Sequence, residues 1–449
     1  MSKLNNRNGR VLAALVAAML LAAGPAALNA QNLFKISNAE PTNSDSACTD
    51  GRIPTGTTGK GDANNAYDSV VIKDGSLYRM WYSGVASDAK TRIYSAWSTN
   101  GLDWVKTNNA TPTTSDSTSA DGRIPLGSVA TFGDGTQARM PCVIKDGSTY
   151  KMWYSGQDGT SWRIFYASSP DGYTWTKLTN GFEAANNNTG TMGRIPLGLA
   201  GKGDSTGTLW PCVIKDNGVY KMWYSGNNGN YRIYYATSPD GLTWTKYNNS
   251  VPTSNDVTGI QGQVPLGATA ARGDVTHVRS PCVVKQGMTY LMWYVGFSSN
   301  STQRIYEATS LDGLTWTKKD NTVPAPSDTT STAGRIPLGS VGQGDDTHTY
   351  SPSCVDEGRS LRFWYSGTRA STGRVYSATW LKDYPVVENT LATNAAANAI
   401  TLSGNVVATG QAPTTVRVYW GTNDAGLNLA GWANTNEFTQ NSIEGPLST

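Results

Sequence analysis

One pattern of about 70 residues occurs five times in this chain, and it limits the fold more than any other feature of the sequence. Each copy contains a Gly-Asp pair, and we number the repeats one to five by these aspartates: Asp62, Asp134, Asp204, Asp274 and Asp345. Four short runs follow each of the first four pairs and three follow the last, typified by Pro-Cys-Val-Ile-Lys, Tyr-Lys-Met-Trp-Tyr-Ser-Gly, Arg-Ile-Tyr-x-Ala and, in the first four, Thr-Trp-Thr-Lys. They are rich in β-branched and aromatic residues and are separated by Asp-Gly or Asn-Gly turns, so four antiparallel strands are predicted for each repeat.

The two ends of the repeat region indicate how it is completed. Repeat five stops after its third run at Thr379, and no Trp-Thr-Lys run follows. A strand-like run, Leu33 to Ser37, stands ahead of repeat one where a fourth strand would lie. We therefore predict an all-β fold, a five-bladed β-propeller over residues 31–383 with four-stranded blades, in which the N-terminal strand closes blade five. A linear solenoid is the alternative, but it requires atypical capping units that these ends do not resemble.

The segments outside the repeats carry two further expectations. Residues 1–30 combine a basic start, a 13-residue apolar run from Val11 to Ala23 and a small-residue stretch, as in a cleaved export signal. A secreted, cell-surface or periplasmic location is therefore expected, without membrane insertion, because that run is too short to span a bilayer. Residues 384–449 contain strand-like runs and resemble a fibronectin-type-III-like β-sandwich. They are fewer than the roughly 100 residues of a typical sandwich, so a partial module is expected.

Charge and cysteine content restrict the classes of partner. Three of the 36 basic residues lie in the signal segment, which leaves 33 against 33 acidic residues and argues against a nucleic-acid partner. No nucleotide-binding glycine loop, nucleophile elbow or zinc motif is present, so no cofactor and no metal are predicted, and a monomer is expected. Cys142, Cys212 and Cys282 occupy one repeat position and are interpreted as small buried residues, with a metal-binding thiol ring as the alternative.

The positions where the five copies disagree are the candidates for a functional site. The Gly-Asp aspartates occur in every repeat, so we interpret them as structural, pairing with recurrent arginines (Arg123 with Asp134, for example) or capping a turn. By contrast, the residues between each Gly-Asp pair and the next strand differ sharply, which predicts that they line one mouth of a central funnel. The alternative is that these loops diverge because nothing constrains them. The predicted binding residues are Asn65, Tyr67, Gln137, Arg139, Trp210, His277, Arg279, His348 and Tyr350.

These side chains suit a sugar ligand, and two acids stand out beside them. Trp210 and Tyr350 would stack on sugar faces, while the arginines and histidines would bind hydroxyls or a uronate carboxylate. Asp68 is the one unrepeated acid at this level, and Glu307 replaces Tyr or Ser in a third strand. If the chain is catalytic, Asp68 is the predicted base, with His277 or Glu307 as the acid.

The repeat also resembles a known group of enzymes. Val143 to Gly147, Tyr150 to Ser155 and Tyr166 to Gly172 resemble strands of the five-bladed glycoside hydrolase propellers of the arabinanase, xylosidase, invertase and mannoside-phosphorylase groups. The resemblance implies an exported carbohydrate-active protein that binds, and in one version hydrolyses, a polysaccharide. However, the strand that begins Pro-Asp in many of those enzymes begins Pro-Cys here. The alternatives are therefore a non-catalytic glycan-binding or adhesion module and a structural module of a larger surface protein.

Overall fold

The structure is a computed structural model, and it describes residues 33–381 except 130–132, 332 and 359, together with the backbone of six short strands outside that range. Within these described residues the regular secondary structure is entirely β. No helix in this part of the chain is long and apolar enough to cross a membrane.

Each repeat supplies four main strands. The first strands are Asn65–Asp74, Gln137–Asp146, Gly207–Asp216, His277–Gln286 and His348–Asp356. The second strands are Leu77–Val85, Thr149–Gln157, Val219–Asn227, Thr289–Phe297 and Ser360–Arg369. The third strands are Thr91–Ser98, Trp162–Ser169, Tyr231–Ser238, Gln303–Ser310 and Thr372–Leu381. The fourth strands are Trp104–Lys106, Trp175–Thr179, Trp244–Lys246, Trp316–Lys318 and, for repeat five, Leu33–Ser37.

The strands of a repeat pair in the order first, second, third, fourth, and a two-residue strand lies beyond the fourth. The repeat pattern does not predict these short strands, which are Ala47–Cys48, Thr118–Ser119, Thr189–Gly190, Thr258–Gly259 and Thr330–Ser331. They pair with the fourth strands and so cover part of an otherwise open sheet edge. The predicted pairing of the N-terminal strand is confirmed, because Leu33 lies opposite Trp380 and Lys35 opposite Ala378 in antiparallel register.

A buried ion pair explains the recurrent Gly-Asp motif. In every repeat the aspartate Oδ2 accepts hydrogen bonds from a lysine of the fourth strand at 2.6–2.7 Å and from a tyrosine hydroxyl of the second strand at 2.9–3.0 Å. An asparagine amide donates to Oδ1. The lysines are Lys106, Lys177, Lys246, Lys318 and, from the N-terminal strand, Lys35.

The structural interpretation of these aspartates therefore holds, but the predicted arginine partner is wrong. Asp134 pairs with Lys177, whereas Arg123 pairs with Asp121 and donates to the carbonyl of Ala110. A lysine ammonium on a flexible stem reaches the buried carboxylate from the fourth strand, while the arginine lies in a surface turn.

Tryptophan pairs join each repeat to the next. The tryptophan of a second strand lies edge-on to a tryptophan of the following repeat, with ring centroids 5.7–5.8 Å apart, in the pairs Trp81–Trp175, Trp153–Trp244, Trp223–Trp316 and Trp293–Trp380. The same contact joins Trp364 of repeat five to Trp104 of repeat one at 5.7 Å. Val355, Trp364 and Val375 also belong to the same apolar core cluster as residues of repeat one. Repeat five therefore contacts repeat one in the way that consecutive repeats contact each other.

The chain divides into two compact units, of which Leu33–Asp356 with Arg362–Trp380 is the repeat unit. The other unit contains two three-stranded sheets, one of Ala18–Leu21, Thr414–Trp420 and Asn434–Gln440, and one of Val386–Asn389, Ser403–Ala408 and Gly445–Ser448. The export signal at residues 1–30 and the sandwich at residues 384–449 otherwise lie outside the described residues, and both stay predictions.

Candidate functional site

A small cavity of about 60 Å³ lies among the five first strands of the repeat unit. Three consecutive residues of each first strand line it: Asp68 to Val70, Met140 to Cys142, Trp210 to Cys212, Ser280 to Cys282 and Ser351 to Ser353. The three repeated cysteines are thus buried wall residues, as predicted. Their sulfurs also join repeats, because Cys142 Sγ accepts the amide of Val213 and Cys212 Sγ accepts that of Val283, each at 3.1 Å.

The first residue of each wall segment has a left-handed backbone. The φ angles of Asp68, Met140, Trp210, Ser280 and Ser351 lie between 46° and 57°. In repeats one to four the strand pairing shifts at this point, as at a β-bulge. A serine hydroxyl of the preceding repeat accepts the backbone N–H of the bulged residue, as Ser366 does for Asp68 at 2.8 Å and Ser155 for Trp210 at 3.1 Å. The recurrent Ser of the Tyr-Ser-Gly run therefore holds the bulged backbone at the cavity wall in repeats one to four, while Val295 stands at that position before repeat five.

Asp68 is the acid of the cavity wall, and its carboxylate is fully engaged. Arg139 of the next repeat donates to Oδ2 from Nη2 at 2.7 Å and from Nε at 3.2 Å, and the Ser351 hydroxyl donates to Oδ1. The residue is 3% exposed. Among the described residues it is the one carboxyl group that lines the cavity. The site therefore holds a fixed negative charge that three different repeats define.

Two aromatic residues flank this ion pair. The guanidinium of Arg139 lies 5.0 Å from the Tyr67 ring centre and 5.6 Å from that of Trp162. The rings of Tyr67 and Tyr350 are 6.3 Å apart. Burial, and secondarily the Asp68 carboxylate, raises the pKa of Tyr350 well above its usual value, so its hydroxyl stays protonated at neutral pH.

Arg279 forms the second half of the site. Its guanidinium lies 4.0 Å from the centre of a Trp210 ring and 4.9 Å from that of Phe297. Nη2 donates to Gln303 Oε1 at 2.6 Å, whereas the buried Nε has no hydrogen-bond partner. Burial lowers the pKa of Arg279 to about 10; Asp68 opposes this shift, and the nearby Arg139 adds to it. Trp210, for which the sequence predicts stacking on a sugar, thus has a cation over its ring.

The histidines and amides of the predicted site serve an additional purpose that the sequence did not reveal. His277 Nδ1 accepts the backbone N–H of Tyr231 at 3.2 Å, and His348 Nδ1 accepts that of Gln303 at 3.3 Å. Gln137 and Asn65 make the same contact, with Thr91 at 2.7 Å and with Gly373 at 2.6 Å. In repeat three, where Gly207 replaces these side chains, the backbone itself bridges to Trp162. One acceptor per repeat therefore ties its first strand to the preceding third strand.

Replacing both histidines with glutamine should remove an acid sensitivity of the fold. Burial, together with Arg279, lowers the pKa of His277 and of His348 below 6.5, and a neutral Nδ1 must accept the backbone N–H. The unfolded chain then binds more protons, so this contribution to stability is present above about pH 6.5 and is lost as the pH falls through the lowered pKa values. We expect urea unfolding of His277→Gln/His348→Gln to change less between pH 7.5 and pH 5 than that of the unaltered chain. An equal loss of stability in both proteins would contradict this assignment.

Glu307 occupies a different place. Its carboxylate lies 3.3 Å from Lys319 Nζ and packs against Gly334, a turn glycine with φ of 73°. Ser95, Tyr166, Tyr235 and Ser377 pack against the corresponding glycines of the other repeats. The structure therefore does not bring Glu307 to the cavity wall beside Asp68.

The structure brings together Tyr67, Asp68, Arg139 and Tyr350 and, next to them, Trp210 and Arg279. Sequence reasoning missed Ser351, Trp162 and Gln303 as parts of the site. The sequence could have indicated Ser351, because it directly precedes Pro352 at the repeat position where Ser280 precedes Pro281. The other two lie at the start of third strands, which the alignment of the repeats did not connect with the first strands.

Comparisons of sequence give no family for this chain, since no family model matches it. Two uncharacterized proteins of Mycobacterium tuberculosis, one from each of two strains, are 40% and 39% identical over 111 residues. The matched segment is 23% of this chain. The chain spans about a third (32%) of the length of these relatives.

Comparisons of structure define the class of fold. A glycosyl hydrolase from Bacteroides ovatus superposes with a TM-score of 0.51 at 14% identity, covering 78% of this chain and 94% of the other. Another solved glycoside hydrolase gives a TM-score of 0.50 at 15% identity, covering 78% of this chain and 92% of the other. At these identities the likeness concerns the fold alone. The chain has the all-β, propeller-like fold of glycoside hydrolases.

Proposed function

We propose that this chain is an exported carbohydrate-active protein, a five-bladed β-propeller over residues 31–383, that binds a polysaccharide or other glycan at the cavity of the first strands. The contact of repeat five with repeat one supports a closed ring, and the glycoside hydrolase neighbours support a carbohydrate ligand. Export rests on residues 1–30 alone.

One observation carries the location of the site. The five repeats are alike in their buried ion pairs and tryptophan contacts, yet at the entry to the first strand Asp68 and Trp210 line one cavity, with Arg139 bonded to Asp68 and Arg279 over Trp210. The ion pairs and tryptophan contacts that build the scaffold recur in all five repeats, so they do not account for this charged group. Polar groups flanked by aromatic rings are typical of sugar sites.

A non-catalytic glycan-binding module is the second candidate, and the count of carboxyl groups favours it. Glycoside hydrolysis normally needs two carboxyl groups, about 5–5.5 Å or 6.5–9.5 Å apart. In the described part of the chain, Asp68 is the one carboxyl group that lines the cavity, and its oxygens accept hydrogen bonds from Arg139 and Ser351. If the chain hydrolyses its ligand, Asp68 remains the proposed base, whereas Glu307, the acid predicted from the sequence, packs on Gly334 beside Lys319 and is a weaker candidate for the acid.

A polysaccharide panel tests the proposal and separates the two candidates. The purified repeat protein would be incubated with neutral and acidic plant, algal and fungal polysaccharides, and bound protein and released reducing ends would be measured in the same samples. Release of sugar would establish a glycoside hydrolase, and binding without release would establish a binding module. Neither binding nor release across the panel would overturn the proposed function and favour a structural module.

A further inference from the structure

The charges around the cavity do not balance. Arg139 and Arg279 contact two residues of the same cavity wall, Asp68 and Trp210, and the one carboxyl group found in the described part of that wall, Asp68, is bonded to Arg139. None of the ion pairs found among the described residues includes Arg279. A half-buried guanidinium without a carboxylate is costly unless an anion from outside completes it.

The guanidinium of Arg279 has one donor without an acceptor. Its central carbon lies 4.0 Å from the centre of a Trp210 ring and 4.9 Å from that of Phe297, and Nη2 donates to Gln303. The buried Nε has no acceptor. A guanidinium offers paired N–H groups that match the two oxygens of a carboxylate.

The surroundings restrict which anion fits. The chain is not strongly basic overall, so a long nucleic-acid backbone is a poor match. The phenols of Tyr67 and Tyr350 lie near the arginines. We propose that Arg279 is the carboxylate-binding residue of a site for acidic saccharides, those that contain a uronic acid, and that Trp210 is a positioning residue for its guanidinium. This inference rests on the proposed function, because it names the substrate class of that same site.

The test compares the affinities of an oligogalacturonate and of the matched neutral oligogalactose, each measured by calorimetry. For the unaltered chain we expect tighter binding of the acidic sugar and weakening with added salt, because the contact is between charges. Arg279→Gln should reduce affinity for the oligogalacturonate about 10- to 100-fold, the range for a lost charge-assisted hydrogen bond, and leave the neutral sugar unaffected. Arg279→Lys keeps the charge but not the paired N–H edge, so it should recover only part of the affinity.

The chain offers a matched control. Arg194 donates to the carbonyl of Gly181, and in repeat four Gln263 makes the corresponding contact with Ser250. Arg194→Gln therefore also removes one positive charge, but at a position where repeat four already has glutamine. It should leave both affinities unchanged. Circular dichroism of each variant would verify folding.

The outcomes separate this inference from the proposed function. Equal binding of neutral and acidic sugars, or an unchanged affinity in folded Arg279→Gln, would overturn the uronate assignment while the glycan site stands. Preference for a sulfated polysaccharide over oligogalacturonate would also overturn it, since the anion would then be tetrahedral. Binding of no sugar at all would overturn both.

Discussion

We expect Lys35→Met to lower the free energy of unfolding by about 3–5 kcal/mol, the usual cost of removing one partner from a buried ion pair. Lys35 Nζ lies 2.7 Å from Asp345 Oδ2 and donates to the Pro337 carbonyl, and both charged side chains are fully buried. Burial lowers the pKa of Lys35 and Asp345 opposes this shift, so the ammonium depends on its partner for its charge. Methionine would leave the Asp345 carboxylate with only Tyr365 and Asn38 as donors. Chemical unfolding followed by tryptophan fluorescence measures the effect.

Two further variants separate this ion pair from a general loss of charge. Lys90→Met removes an exposed lysine and should change stability by less than about 0.5 kcal/mol. Lys35→Met/Asp345→Asn keeps one amide oxygen as an acceptor for Asn38 and an NH2 group that can donate to the Tyr365 hydroxyl, without the unpaired charge, so it should regain part of the loss. If Lys35→Met were no more destabilising than Lys90→Met, the ion pair would not hold the N-terminal strand.

Asp68→Asn should have the largest effect on chemistry. If sugar release is found, this substitution should reduce its rate about 100- to 10,000-fold, the contribution expected of a general base. Asparagine fits the same left-handed backbone position, where φ is 50°; its amide oxygen can still accept from Arg139, and its NH2 group can donate to the Ser351 hydroxyl. Because the variant carries one negative charge less beside two arginines, it should bind an oligogalacturonate at least as tightly as the unaltered chain.

Rates of reducing-end release and calorimetric affinities would be measured on the same preparations. Glu307→Gln is the comparison variant, and its rate of sugar release tests whether Glu307 is the catalytic acid. Since Glu307 packs on Gly334 beside Lys319, away from the cavity wall, we expect it to retain release. Full release by Asp68→Asn would exclude Asp68 as the base, and weaker binding of the acidic sugar would contradict the charge argument at Arg279.

The repeat pattern was enough to predict the strands, their order and the pairing of Leu33–Ser37, because turn residues and alternating apolar runs are local signals. It also predicted that the Gly-Asp aspartates are structural. Their partner was not predictable, since Asp62 and Lys106 are 44 positions apart and Asp345 and Lys35 are 310 apart. Only the assembled sheet shows which lysine reaches which carboxylate.

Disagreement among the repeats locates the candidate site, but the roles of its residues depend on contacts between repeats. The rarity of histidine in this chain favours ligand contacts for His277 and His348, whereas each accepts a backbone N–H of the preceding repeat. An aromatic residue at the position of Trp210 favours a sugar platform, and a guanidinium from the next repeat covers it. Side-chain pairs of this kind have no sequence signature, because the two partners belong to different strands.

The pairing of Leu33–Ser37 with Thr372–Leu381 also determines when the molecule can finish folding. During synthesis the strand Leu33–Ser37 is made before every other strand of the repeat region, and the strand that it joins, Thr372–Leu381, is made last of them. Sheets whose strands are neighbours in sequence can form as the chain emerges, but the sheet of repeat five must wait for the whole repeat region. Contacts between such distant segments are also slow to form. Completion of the sheet of repeat five is thus a late step, which a chain terminated before Thr372 cannot take.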